Sequence, residues 1–176
     1  VVAIVLASCG ASTAPIATHP IDTHHGATGE IVGLTTREEI EAELPAWRDA
    51  IANALFDHAA AVRLAHVESG AEVDVFLGTW CGDSRREVSR LFRAFERADT
   101  EAPRPFALRF VGVDRAKTAP GYTESVGLRY VPTIVVRRGG VEVGRIVESA
   151  PGGVDVALAD LLDGTRSGVI TGRTDL

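Results

Sequence analysis

The sequence predicts an α/β fold, a mixed β-sheet flanked by helices and preceded by a helical extension. Short apolar runs at 73–79, 108–113, 134–136 and 141–147 read as strands. Apolar residues recur in steps of three and four over 36–66, 84–98 and 154–162, as on one face of a helix. From Val73 the order is strand, helix, strand, short helix, strand, strand, helix. A right-handed crossover makes the first two strands parallel neighbours, and the last two form an antiparallel hairpin. Helices are expected on both faces of the sheet.

At 176 residues the chain can form one domain with a sizeable core plus an extension. A formal charge of −6 gives no basis for nucleic-acid binding. No stretch reaches the roughly 18 apolar residues of a spanning helix. Two cysteines, Cys9 and Cys81, are too few for a disulfide framework.

Residues 1–8 open with the apolar run Val1–Ala7, and Leu6-Ala7-Ser8-Cys9 follows. This resembles the lipobox of bacterial lipoproteins, in which the signal peptide is cut before a lipid-bearing cysteine. The run lacks an initiator Met and a basic segment, so upstream residues are expected to be missing. The resemblance implies lipidation at Cys9 and a membrane-anchored protein of the bacterial cell envelope, on its periplasmic or extracellular face. Residues 9–35, rich in Ala, Thr, Pro, Gly and His, read as a flexible tether. His19, Asp22, His24 and His25 lie close enough in it to suggest a metal site. Nothing nearby fixes their geometry, and a polar linker is the simpler reading.

The extension covers 36–70. Thr36-Arg37-Glu38-Glu39 matches a capping box, and the apolar stripe Ile40, Leu44, Trp47, Ile51, Leu55, Ala59 and Val62 follows. Pro45 divides it into a short helix near 37–43 and a longer one near 45–66. Trp47 and Phe56 read as core residues. In the helix 84–98, Val88, Leu91, Phe92 and Phe95 face inward, while Arg86, Arg90, Arg93 and Arg97 form a solvated face. Tyr122–Val126 reads as a short helix closed by Gly127, 137–140 as a hairpin turn, and 164–176 as a loose tail.

The chemistry concentrates where the first strand meets its helix, at Gly78-Thr79-Trp80-Cys81-Gly82-Asp83-Ser84. A cysteine at a helix start faces backbone N–H groups and a dipole that favour the thiolate. Arg85 and Arg86 add positive charge; Asp83 opposes it. Val131-Pro132-Thr133 follows some fifty residues on, just before the hairpin. Together these resemble the thioredoxin family, whose active-site signature is Trp-Cys-Gly-Pro-Cys and whose cis-proline lies opposite the cysteine. The likeness covers about Val73 to Leu162 and implies a thioredoxin-like domain over 71–163. It implies Cys81 as nucleophile, with Ser84 and Asp83 beside it. Trp80, Gly82, Val131 and Pro132 would form the substrate groove.

Two departures narrow the chemistry. The resolving cysteine is Ser84, which could instead donate a hydrogen bond to the sulfur. The family's buried carboxylate falls on Val75, and Asp74 is one residue off, on the other face of the strand. By its position Asp83 is the candidate substitute acid or base. The implied activity is therefore monothiol exchange with protein disulfides or a small-molecule thiol, with no cofactor and no metal. A redox-inactive module that docks an extended peptide stands beside it. A one-cysteine peroxidase ranks below both, because no Thr or Pro with an Arg surrounds the thiol.

Overall fold

The structure is a computed structural model that describes residues 24–25 and 29–176. Cys9, the apolar run before it, and His19 and Asp22 lie outside the described residues, as do the side chains of His24 and His25.

Among the described residues the strands are β1 (His24–His25), β2 (Ile31–Thr35), β3 (Ala71–Leu77), β4 (Ala107–Gly112), β5 (Thr133–Arg138), β6 (Val141–Val147) and β7 (Gly168–Thr171). The helices are α1 (Arg37–Glu43), α2 (Pro45–Asn53), α3 (His58–His66), α4 (Gly82–Asp99) and α5 (Val154–Leu162). The strands lie in the order β1-β2-β4-β3-β5-β6-β7. β3 and β4 are parallel, as expected from the crossover, and β5–β6 is the expected antiparallel hairpin. Its turn, Gly139-Gly140, has φ of +56° and +77°, which two successive glycines adopt without strain.

The mixed sheet flanked by helices is present, but the helices share one face. Buried side chains of α1 to α5 form a single core with Val73, Val75 and Leu77 of β3. The opposite face, with Phe76, Val111 and Val135, is covered by the connection from β4 to β5 through Ala119, Val126 and Val131. The helix expected at 122–126 would have served there. Isolated turns, such as Val126 N–H to the Thr123 carbonyl at 3.1 Å, take its place. With Pro120-Gly121 before it and Gly127 after it, the segment is too short to propagate a helix.

Two segments expected to be irregular contain strands. Within 9–35, β2 pairs antiparallel with β4 and buries Ile31 and Thr35. Within 164–176, β7 runs parallel to β6 and buries Ile170. Five and four residues carry little periodicity, and both strands take their hydrogen bonds from partners distant in sequence. The helical extension is thus built into the sheet through β2.

The capping box at Thr36 forms, with Thr36 Oγ1 accepting from Glu39 N–H at 3.2 Å and Glu39 Oε2 from Thr36 N–H at 3.0 Å. Pro45 starts α2 as expected. The single helix expected over 45–66 is broken at 54–57, and Leu55 is 85% exposed. Asp57 caps α3 through Ala60 N–H at 2.8 Å, which resets the helical phase. Ala60, Ala61, Leu64 and Ala65 then face the core in place of Ala59 and Val62. The fully buried Asp155 of α5 holds the break by accepting the Asp57 N–H at 2.6 Å. The arginines of α4 have acidic neighbours, as a solvated face requires: Arg86 with Asp83 and Glu87, Arg93 with Glu96, and Arg97 with Glu101. Arg90 departs from the pattern, turning to Asp155.

Candidate functional site at Cys81

β3 ends at Leu77, and the turn Gly78-Thr79-Trp80 delivers Cys81 to the N-cap of α4. Cys81 N–H bonds the Gly78 carbonyl at 2.9 Å, and the Cys81 carbonyl accepts from Arg85 N–H at 3.0 Å. Four hydrogen bonds pin the turn. Trp47 of α2, buried as expected, donates its Nε1–H to the Thr79 carbonyl at 3.0 Å. Thr79 Oγ1 accepts from Ile31 N–H of β2 at 3.2 Å. Ser84 Oγ, fully buried, accepts from Gly78 N–H at 3.1 Å. Trp80 Nε1–H reaches the Val113 carbonyl at 3.1 Å. A Cβ on Gly78 would stand 2.7 Å from Trp80 Cε2, so this ring position requires glycine there.

Cys81 is free and half-buried. Its thiol donates to the Val131 carbonyl at 3.5 Å, across a gap of 50 residues in sequence. The Val131–Pro132 peptide is cis, and both residues are buried. Cys81, Trp80, Val131 and Pro132 thus come together as the sequence implied. Gly82 opens the helix beside them and is exposed.

Ser84 and Asp83 do not act on the sulfur as expected. The hydrogen bond found for the Ser84 hydroxyl is the one from Gly78 N–H, and the sulfur's partner is Val131. Asp83 turns to Arg86, with Oδ1 2.7 Å from Nη1 on the surface. Val75 is fully buried in the core that the helices share. Asp74 faces the other side of the sheet, bound by Arg109 at 2.7 and 3.0 Å and by Arg137. Removing it strands two guanidiniums, each partly exposed, so Asp74→Asn is expected to lower stability by about 2 kcal/mol. A urea midpoint within experimental error of the wild type would contradict this.

Sequence reasoning missed Arg115. Its guanidinium lies 5.3 Å from the centre of the Trp80 ring and pairs with Glu30 at 3.2 Å. No local pattern signals it, because the loop that carries it is 35 residues from Trp80. That loop closes on Asp114, whose carboxylate accepts from Thr118 N–H at 2.8 Å and from the Thr118 hydroxyl at 2.7 Å. The Thr118 N–H bond is the chief cause that holds this carboxyl below its ordinary 3.8. The linked stability is fully present above 3.8 and is lost as pH falls through the lower folded value. In a pH titration the Thr118 amide resonance should therefore shift with a midpoint below 3.8; a midpoint at or above that value would contradict the assignment.

A strand running into a cysteine at a helix start, a parallel partner strand, a cis-proline facing the thiol, a hairpin and a closing helix stand together in one sheet. The fold is thioredoxin-like. No protein-family model and no curated protein matches the chain. Among solved structures it is similar to a protein of unknown function from Pseudomonas aeruginosa, 18% identical over 74% of this chain and 78% of that one, with a TM-score of 0.42. It is similar to the thioredoxin of Malassezia sympodialis, 18% identical over 59% and 80%, with a TM-score of 0.36. It is also similar to mitochondrial thioredoxin 3 of Saccharomyces cerevisiae, 19% identical over 65% and 98%, with a TM-score of 0.34. These likenesses are distant, and the fold rests on the topology described above.

Proposed function

We propose that this chain is a thiol-disulfide exchange protein that works through the single thiol of Cys81. The observation that carries this reading is the placement of a half-exposed thiol at the first turn of α4, against the Val131 carbonyl of the cis peptide. The Cys81 thiolate attacks one sulfur of a disulfide R–S–S–R′. A Cys81–S–S–R bond forms, the original S–S bond breaks, and R′S⁻ leaves to take a proton from water. A second thiolate then attacks the R sulfur. Cys81 departs as thiolate and a new disulfide is released, so the cycle is redox-balanced without a cofactor. Ser84 at the resolving position makes that second thiol external.

Incubation of the folded protein with 4,4′-dithiodipyridine near pH 8, followed by intact mass spectrometry, tests the reading. An adduct on Cys81, located by peptide mapping and reversed by a monothiol, is expected; no adduct on Cys81 overturns it. A binding module that docks an extended peptide is favoured by the same Ser84, which removes the internal second thiol. Under that reading Cys81→Ala keeps full function.

The motif Leu6-Ala7-Ser8-Cys9 supports a further part of the proposal, that the domain works outside the bacterial cytoplasm on a lipid at Cys9. Among the described residues no helix is long and apolar enough to cross a membrane, so this anchoring rests on the motif alone. Intact mass of protein isolated from cells tests it; an unmodified Cys9 preceded by its upstream residues overturns it.

A further inference from the structure

We infer that the segment after β7 braces the loop at Val131–Pro132, with Arg173 as the residue that positions the Val131 carbonyl against the Cys81 thiol. This rests on the reading of Cys81 as the exchanging thiol. The segment is well placed for the role. β7 runs parallel to β6 with Thr171 opposite Val147, so the chain leaves the sheet beside Glu148, the residue after β6. Two bonds fix that exit. The Thr171 hydroxyl donates to the Val147 carbonyl at 2.9 Å, and Gly172 N–H donates to the Ser149 carbonyl at 2.9 Å.

Arg173 then holds the loop from two sides. Its guanidinium lies 4.2 Å from the centre of the ring of Tyr130, the residue before Val131, within reach of a cation–π contact. Its Nη1 donates to the Glu148 carboxylate, and Glu148 N–H donates to the Pro132 carbonyl at 2.8 Å. One side chain thus grips Tyr130 directly and Pro132 through Glu148. Asp175 accepts from Nε at 2.8 Å and from Nη2, which fixes the plane of the guanidinium.

An independent observation comes from the backbone of Glu148. Its φ is +60°, in the left-handed region that a residue other than glycine enters at a cost. Such a conformation persists where the surroundings hold it, and here the Pro132 carbonyl and Arg173 do so. Within the loop, the Thr133 hydroxyl donates to the Tyr130 carbonyl at 2.8 Å, so Tyr130 and the residues after it are tied together.

The consequence for the thiol follows from its contact with the Val131 carbonyl at 3.5 Å. The sulfur must give up this hydrogen bond to attack a disulfide. A loop held in place therefore slows the attack, and a loosened loop speeds it.

The test is the rate at which 4,4′-dithiodipyridine labels Cys81 in the full chain carrying Cys9→Ser. In Arg173→Ala the rate should rise about twofold to fivefold, the scale of one weak hydrogen bond. Loss of a positive charge alone would slow a thiolate's reaction, so the sign separates the brace from a field effect. Arg173→Lys keeps a cation for Glu148 and for the ring, and should recover most of the wild-type rate. Tyr130→Leu removes the ring without changing any charge, and should also raise the rate. An unchanged or lower rate in Arg173→Ala overturns the inference.

Hydrogen exchange separates a loosened loop from a weakened fold. In Arg173→Ala the Glu148 amide should exchange several-fold faster, while the amides of Val73 and Val75, on the central strand β3, keep their protection. Equal acceleration at all three makes Arg173 merely structural and overturns the inference. If Cys81 of the wild-type protein takes no label, the exchange reading fails. The brace is then decided by the Glu148 amide, whose unchanged protection in Arg173→Ala overturns it.

Discussion

In a Cys9→Ser background, Cys81→Ala is expected to abolish mixed-disulfide formation, leaving no adduct above background by intact mass spectrometry. The expectation follows from the thiol's place. Cys81 is the free cysteine of the described residues, half-exposed at the start of α4 and within 3.5 Å of the Val131 carbonyl. The fold should survive the change. The backbone bonds that hold the residue, from Cys81 N–H to Gly78 and from Arg85 N–H to Cys81, do not involve its side chain. The loss in stability should stay within about 1 kcal/mol, that of a surface-proximal substitution. Ser84→Cys extends the test. It places a second thiol at the family's resolving position, so the adduct on Cys81 should become transient and an internal disulfide should accumulate. It also replaces the hydroxyl that accepts the Gly78 N–H, at an expected cost of about 1–3 kcal/mol for an unsatisfied buried group. If adducts persist in Cys81→Ala, the reactive group lies elsewhere and the exchange reading falls.

Trp47→Ala is expected to have the largest effect on stability, about 3–5 kcal/mol. Trp47 is 1% exposed and belongs to the main core, so its removal opens a cavity there. It also strands the Thr79 carbonyl. Against a typical total of about 5–15 kcal/mol, this is enough to unfold a marginal domain. Trp47→Phe separates the two contributions. It keeps most of the ring but loses the hydrogen bond, for about 1–3 kcal/mol. Because that bond holds the turn that delivers Cys81, Trp47→Phe should also slow labelling of the thiol under native conditions. Urea denaturation with an unchanged m-value reads the first effect, and labelling rate reads the second. A Trp47→Phe protein with wild-type stability and labelling would show that the contact to Thr79 does not position the site.

Much of the frame was legible in the sequence. Val141–Val147 and Val154–Leu162 have the predicted bounds, and the capping box at Thr36 forms as read. Each is decided by local patterning, because hydrophobic period and capping chemistry act within a few residues. The pairing of Trp80-Cys81 with Val131-Pro132 was also legible, through two short motifs that one family brings together.

The tertiary structure decided the rest, for reasons that lie far apart in the chain. β2 and β7 are strands because β4 and β6 offer them edges, and no pattern within five or four residues could supply that. The helix expected over 45–66 breaks where Asp155, 98 residues from Asp57, takes the Asp57 N–H. Ser84 looked like a neighbour of the sulfur, yet its hydroxyl accepts the Gly78 N–H. The same holds for Arg115 over Trp80 and for Arg85, which has no ion-pair partner among the described residues while Arg86 and Arg90 have theirs. By itself the sequence determined that a cysteine stands where a strand runs into a helix, because that is a local feature. What surrounds that thiol depends on contacts between distant segments, and only folding brings those together.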